Sequence, residues 1–234
     1  MLSTTEKIFY DGFLYNEFKE TNSLSKVISI SKDAVNKKVK EDFFLIEKYN
    51  LALDLKPSVV DYDECFLQLL KDNDIPSLLN KTGFDLRLSN IQLRIAYPDS
   101  SNKDNSYMPW HRDSYHYHEN EKPSGKTPPG FKILFYPDIN ESQEEVVSLV
   151  PRSQLQQKFR EQEDYVQQFS FNMIKLKADS KKYLFFNTSI MHGTLPTEFT
   201  QGQPRIIYNF CNKFQLDNEE AKDISNKYME FISD

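Results

Sequence analysis

The histidines of this chain are few and unevenly placed. Of four in 234 residues, His111, His116 and His118 fall inside YMPWHRDSYHYH (107–118), and His192 falls inside FNTSIMHGTLP (186–196). Alternate residues of a strand share a face. If His111-Arg112-Asp113 is extended, His111 and Asp113 project together, with Tyr115 further along the same face. Trp110, Arg112, Ser114, His116 and His118 project the other way, so His116 and His118 are expected as loop or surface histidines. An imidazole and a carboxylate on one face, joined by His192 from a distant strand, make a 2-His-1-carboxylate set. Such a set covers one face of an octahedral metal and leaves three positions open, the arrangement suited to non-haem iron.

A second signal lies thirteen residues after His192. Arg205 opens the apolar run PRIIYNF (204–210) in a chain with six arginines among its 29 basic residues. A guanidinium grips a carboxylate through two parallel hydrogen bonds, which an ammonium cannot do. Iron beside a carboxylate-binding Arg is the pairing that 2-oxoglutarate chemistry requires. In NIQLRIA (90–96), Ile91, Leu93 and Ile95 form one face and Gln92 and Arg94 the other. Gln92 and Arg94 are therefore candidates to reach co-substrate or substrate, with a structural hydrogen bond or ion pair as the equal alternative. Trp110 and Tyr115 are candidates for pocket wall or core. Asn187 either lines the site or serves as a hydrogen bonder at a strand end.

Other catalytic motifs fail. HRD matches the start of a kinase catalytic loop, but that loop needs Asn five residues after the Asp, where His118 stands. No HExxH, Walker A or GxSxG occurs.

The elements that must position these residues follow from the rest of the chain. A formal charge of -6 argues against a nucleic-acid or anionic-membrane surface. Two cysteines make no disulfide framework, and no apolar run approaches the length of a membrane span. The expectation is a soluble, cytoplasmic protein with no signal peptide or membrane partner, acting on a small molecule. Residues 32–50 and 61–80 suggest helices, the latter with an apolar stripe of Cys65, Phe66, Leu69 and Leu70. Short strands are expected over 90–97, 108–117, 131–136, 146–150, 169–176, 182–190 and 205–214, and a last helix over 218–231. The partition is one domain, with a mainly helical part over 1–87, a β core over 88–214 and a C-terminal helix over 215–234. The fold class is mainly β with flanking helices, a sandwich or barrel.

Taken together, PWHRDSYHY, SLVPRSQL, HGTLP and the following Arg resemble the Fe(II)/2-oxoglutarate dioxygenases, in particular the phytanoyl-CoA dioxygenase-like family. The similarity covers about residues 88–214. It implies a double-stranded β-helix, the jelly-roll or cupin-like core. It implies Fe(II) on His111, Asp113 and His192, with Arg205 on the distal carboxylate of 2-oxoglutarate and O2 as the oxidant. The activity implied is hydroxylation of an aliphatic C–H, with release of succinate and CO2. The carboxylate of Asp113 favours hydroxylation over halogenation, since halogenating relatives lack it. The chain departs from the family in two places. Val150-Pro151-Arg152-Ser153-Gln154 stands where VPGSH is frequent, and Ile207 stands where a small polar residue is frequent two after the Arg. Both bear on the substrate. The loops at 98–106 and 118–130 are candidates for a lid. A protein-directed hydroxylase and a non-catalytic jelly-roll binding module are the competing functions.

Overall fold

The computed structural model describes residues 2–36, 44–46, 50–54, 64–96, 108–113, 130–137, 146–155, 172–195, 204–216 and 218–233, with backbone alone for 35–36, 44–46, 50–54, 95–96, 108–110, 146 and 194–195. The chain runs α1 (Thr4–Tyr10), β1 (Phe13–Glu17), α2 (Asn22–Asn36), β2 (Phe44–Ile46), β3 (Asn50–Asp54), α3 (Cys65–Asp72), α4 (Ile75–Asn80) and β4 (Leu86–Ala96). It continues with β5 (Met108–His111), β6 (Phe131–Phe135), β7 (Val146–Val150), β8 (Ile174–Lys177), β9 (Lys182–Asn187), β10 (Met191–Leu195), β11 (Pro204–Asn212) and α5 (Glu219–Ser233). Among the described residues, no helix is long and apolar enough to cross a membrane.

The strands form two sheets. The larger has the order β1-β9-β6-β11-β4-β3-β2 and the smaller β5-β10-β7-β8. The pairings are antiparallel, and the two sheets make a jelly-roll core. Alternation sorts the side chains of the larger sheet into two cores. Ile91 and Leu93 of β4, Ile206 and Tyr208 of β11, and Ile133 of β6 pack outward with Val27, Phe66, Leu70 and Tyr228 of the helices. Leu184 and Phe186 of β9 pack inward against Val147 and Leu149 of the smaller sheet. The Tyr208 hydroxyl donates to the Phe66 carbonyl at 3.1 Å and ties the sheet to α3.

The helical expectations hold in part. The stripe Cys65, Phe66, Leu69 and Leu70 is buried, but the 61–80 helix is two. Asp74 takes a left-handed φ of 55° between α3 and α4, and Pro76 lies in the first turn of α4, where its missing N–H costs no hydrogen bond. The 32–50 helix ends at Asn36, and its apolar end is strand β2, paired with β3. The apolar run FFLI answers either period, and a neighbouring strand decides it. β1, β2 and β3 thus bring the N-terminal part into the larger sheet. The 182–190 segment ends as strand at Asn187, where a tight turn redirects the chain into β10 in the other sheet.

Candidate active site

Strand β5 stops at His111, so Asp113 lies just beyond the ladder. Its place is fixed by the backbone. Asp113 N–H donates to the Thr188 carbonyl at 3.0 Å. His111 sits opposite His192 in the β5–β10 ladder, and their ring centroids are 4.3 Å apart. Arg112, on the opposite face as alternation requires, donates from one guanidinium nitrogen to the Ser153 carbonyl at 2.9 Å and to the Ser189 carbonyl.

The turn after β9 therefore organises the whole set. Three successive carbonyls, from Thr188, Ser189 and Ile190, hold Asp113, Arg112 and the His192 ring in turn. Ser189 N–H donates to the Asn187 side-chain oxygen at 2.8 Å, which stabilises the turn. Asn187 is thus placed as the strand-end hydrogen bonder, with its N–H donating to the Gly12 carbonyl at 2.9 Å. Ser153 supports the same region from below, since its hydroxyl accepts from Met191 N–H at 2.7 Å.

The VPRSQ departure has a local reason. Arg152 adopts φ 67°, its N–H donates to the Asp11 carbonyl at 3.1 Å, and its guanidinium lies 4.1 Å from the Tyr10 ring centre. Gln154 donates to the Phe9 and Tyr10 carbonyls at 3.1 and 3.2 Å. Arg152 and Gln154 thus fasten α1 and the residue after it beside the site.

The donor atoms of His111, Asp113 and His192 all lie within 4.8 Å of one another, close enough to bind one metal ion. His192 Nδ1 is 2.9 Å from the Ile190 carbonyl. A carbonyl only accepts, so Nδ1 carries the proton and Nε2 keeps its lone pair. That lone pair faces Asp113 Oδ2 at 3.2 Å, and His111 Nε2 is 3.7 Å from Oδ1. Two acceptors this close require a cation between them, either a proton or a metal. Burial pushes the His192 imidazolium down, outweighing the help that Asp113 gives it, so the proton is the poorer choice at neutral pH. Burial also works against the Asp113 carboxylate, but the positive charge around it, from His192 when that ring is protonated and from the Lys132 ammonium, holds Asp113 well below the usual carboxylate range. The site presents one charged oxygen donor and two imidazoles, which is what a divalent metal binds.

The larger sheet supplies the polar floor. Arg205 is 1% exposed and sits opposite Arg94 in the ladder. Gln92 and Arg94 share the inward face, and the Gln92 side-chain oxygen accepts from Arg94 Nε at 3.0 Å and from a terminal nitrogen at 2.7 Å. Ile207 follows Arg205 on this face opposite Gln92.

Lys132 was not among the sequence candidates. It extends from β6 on the inward face, between Phe131 and Ile133 of the outward core. Its Nζ is 2.8 Å from Asp113 Oδ1, with the two side chains 12% and 19% exposed. The available signal was a single lysine inside the apolar strand FKILF, since a lysine there must face a core and needs a partner. Tyr115, His116 and His118, the side chain of Trp110, and both lid candidates lie outside the described residues.

No family model matches the chain, and no curated protein matches it by sequence. Solved structures do. The carbocyclase SnoK of nogalamycin biosynthesis, non-haem and α-ketoglutarate-dependent, superposes with TM-score 0.66 at 11% identity over 90% of this chain and 84% of that one. The fold is shared with 2-oxoglutarate-dependent enzymes. HygX from Streptomyces hygroscopicus, solved with nickel and 2-oxoglutarate, gives TM-score 0.60 at 14% identity over 92% and 89% of the two chains. EvdMO1 gives TM-score 0.60 at 15% identity, and the present chain spans 49% of its length. At these identities the likeness is one of fold, and the jelly-roll core with its flanking helices is common to the set.

Proposed function

We propose that the chain is an Fe(II)- and 2-oxoglutarate-dependent oxygenase, most akin to the phytanoyl-CoA dioxygenase-like family, which hydroxylates an aliphatic C–H of a small molecule. The observation that carries this reading is the convergence of His111, Asp113 and His192, with the Nε2 lone pair of His192 aimed at an ionised carboxylate 3.2 Å away. SnoK is described as α-ketoglutarate-dependent, and HygX was solved with nickel, 2-oxoglutarate and hygromycin B bound. These neighbours support both the co-substrate and a small-molecule substrate.

In this reading, His111, Asp113 and His192 would hold the iron, a donor set that would leave coordination positions for the co-substrate and O2. Arg205, buried in the floor, pairs with the far carboxylate of 2-oxoglutarate through its two-pronged guanidinium. Gln92 and Arg94, already joined to each other, border that end of the co-substrate. Bound iron with 2-oxoglutarate supplies the oxidising power, consuming O2 and releasing succinate and CO2. The protein's own part is ligation, orientation and exclusion of water. Phe186, edge-on to the His192 ring, joins the site to an apolar cluster with Leu184, Val147 and Leu149. The whole chain acts as one domain.

The test is anaerobic loading with Fe(II), addition of 2-oxoglutarate and O2, and measurement of succinate. Succinate release that disappears in His192→Ala supports the reading. Release that persists in that variant, or no release and no binding of 2-oxoglutarate to the metal-loaded protein, overturns it.

A further inference from the structure

Lys132 lies outside the three-residue ligand set, yet among the described residues it forms the shortest ion pair with Asp113, with Nζ 2.8 Å from Oδ1. The two residues belong to different layers. Lys132 comes from β6 of the larger sheet, where it is opposite Asn209 and Phe186, while Asp113 follows β5 of the smaller sheet. The ion pair therefore spans the interior between the sheets. It also divides the two carboxylate oxygens. Oδ1 accepts from the ammonium at 2.8 Å and lies 3.7 Å from His111 Nε2, while Oδ2 is the oxygen 3.2 Å from His192 Nε2.

We infer that Lys132 is a positioning residue that makes Asp113 a one-oxygen ligand, presenting Oδ2 to the metal and withholding Oδ1. This deepens the oxygenase reading and rests on it. A carboxylate with both oxygens free can chelate, which would use one of the three positions that a keto acid and O2 need. An ammonium on one oxygen leaves the other to the metal. Groups that hydrogen-bond a metal ligand in this way commonly set its orientation and its donor strength. The ammonium is a compact point charge that meets one oxygen, unlike the longer planar fork of Arg, which favours both oxygens of a carboxylate.

The experiment uses Co(II) as the probe, in the wild type, Lys132→Met and Lys132→Gln. Methionine keeps the length without the charge, and glutamine keeps a donor. Co(II) visible absorption reports coordination number, and calorimetry of 2-oxoglutarate into the Co(II)-loaded protein reports the open positions. Lys132→Met is expected to bind Co(II), to show an altered ligand-field spectrum, and to bind 2-oxoglutarate about tenfold more weakly. Lys132→Gln is expected to restore part of both, and it carries the test alone if Lys132→Met does not fold. A wild-type spectrum together with wild-type 2-oxoglutarate affinity in whichever variant folds overturns the assignment. Failure of the oxygenase reading looks different, because Co(II) would then fail to bind the wild type, or would bind Asp113→Ala equally well.

Discussion

His111 and His192 are direct partners across the ladder between β5 and β10, with ring centroids 4.3 Å apart. A cross-strand pair brings two side chains within about 5.5 Å without any help from loops. The two imidazoles are therefore held by sheet register. Asp113, beyond the strand end, is held by a backbone hydrogen bond to Thr188.

This difference in support predicts different consequences for the ligands. His192→Ala is expected to remove metal binding, as judged by Co(II) calorimetry, with little loss of fold. Asp113→Ala is expected to remove metal binding and also to destabilise the metal-free protein by about 3 kcal/mol, because the buried Lys132 loses its partner. Urea unfolding of the two apo-proteins compares them, and equal midpoints would contradict the role given to the ion pair.

Arg205→Lys keeps the charge and loses the fork. Its KM for 2-oxoglutarate is expected to rise about tenfold, corresponding to ~1.4 kcal/mol. The turnover number is expected to change less than KM if Arg205 holds the non-reacting end of the co-substrate, as proposed. A turnover loss with unchanged KM would move Arg205 away from the carboxylate.

Gly12 adopts φ +85°, and a Cβ there would lie 2.5 Å from the Gln154 side-chain oxygen. Gly12→Ala is expected to cost about 2 kcal/mol, from the left-handed backbone and the clash together. Adding Gln154→Ala should recover the clash portion and leave the backbone portion. A double-mutant cycle in thermal unfolding separates the two. Additive losses would show that α1 is not fastened to the site through Gln154.

The acid dependence of the apo-protein has a definite sign. Burial holds His192 below the ordinary histidine range, and Asp113 is held well below the carboxylate range. Both groups take up protons more readily in the unfolded chain. Their contribution is present above the unfolded values, about 6.5 and 3.9, and is lost as pH falls through the folded ones. The urea midpoint of the metal-free protein should therefore fall as pH drops from about 6.5. His192→Asn should flatten the first part of that fall, and a midpoint in the wild type that rises on acidification would exclude a buried neutral His192.

Much of the site was legible because it depends on period-two alternation and on residue chemistry. Ile91 and Leu93 do face the helices, and Gln92 and Arg94 do share the opposite face. Arg112 does point away from His111 and Asp113, toward the Ser153 and Ser189 carbonyls. The misplaced elements are those whose local pattern was ambiguous. Phe44–Ile46 became a strand because β3 lies beside it, and the single strand expected over 182–190 became a strand and a turn.

The sequence by itself determined the candidate donor types of the cluster and the shared face of His111 and Asp113, because these are properties of neighbouring residues and strand geometry. Only the tertiary structure decided which groups support them. Arg112 meets carbonyls 41 and 77 residues away, and Lys132 meets Asp113 across the gap between two sheets. Such contacts depend on strand order and on which sheet each strand joins. Alternation tells which way a side chain points, but the packing of the sheets decides what it meets there.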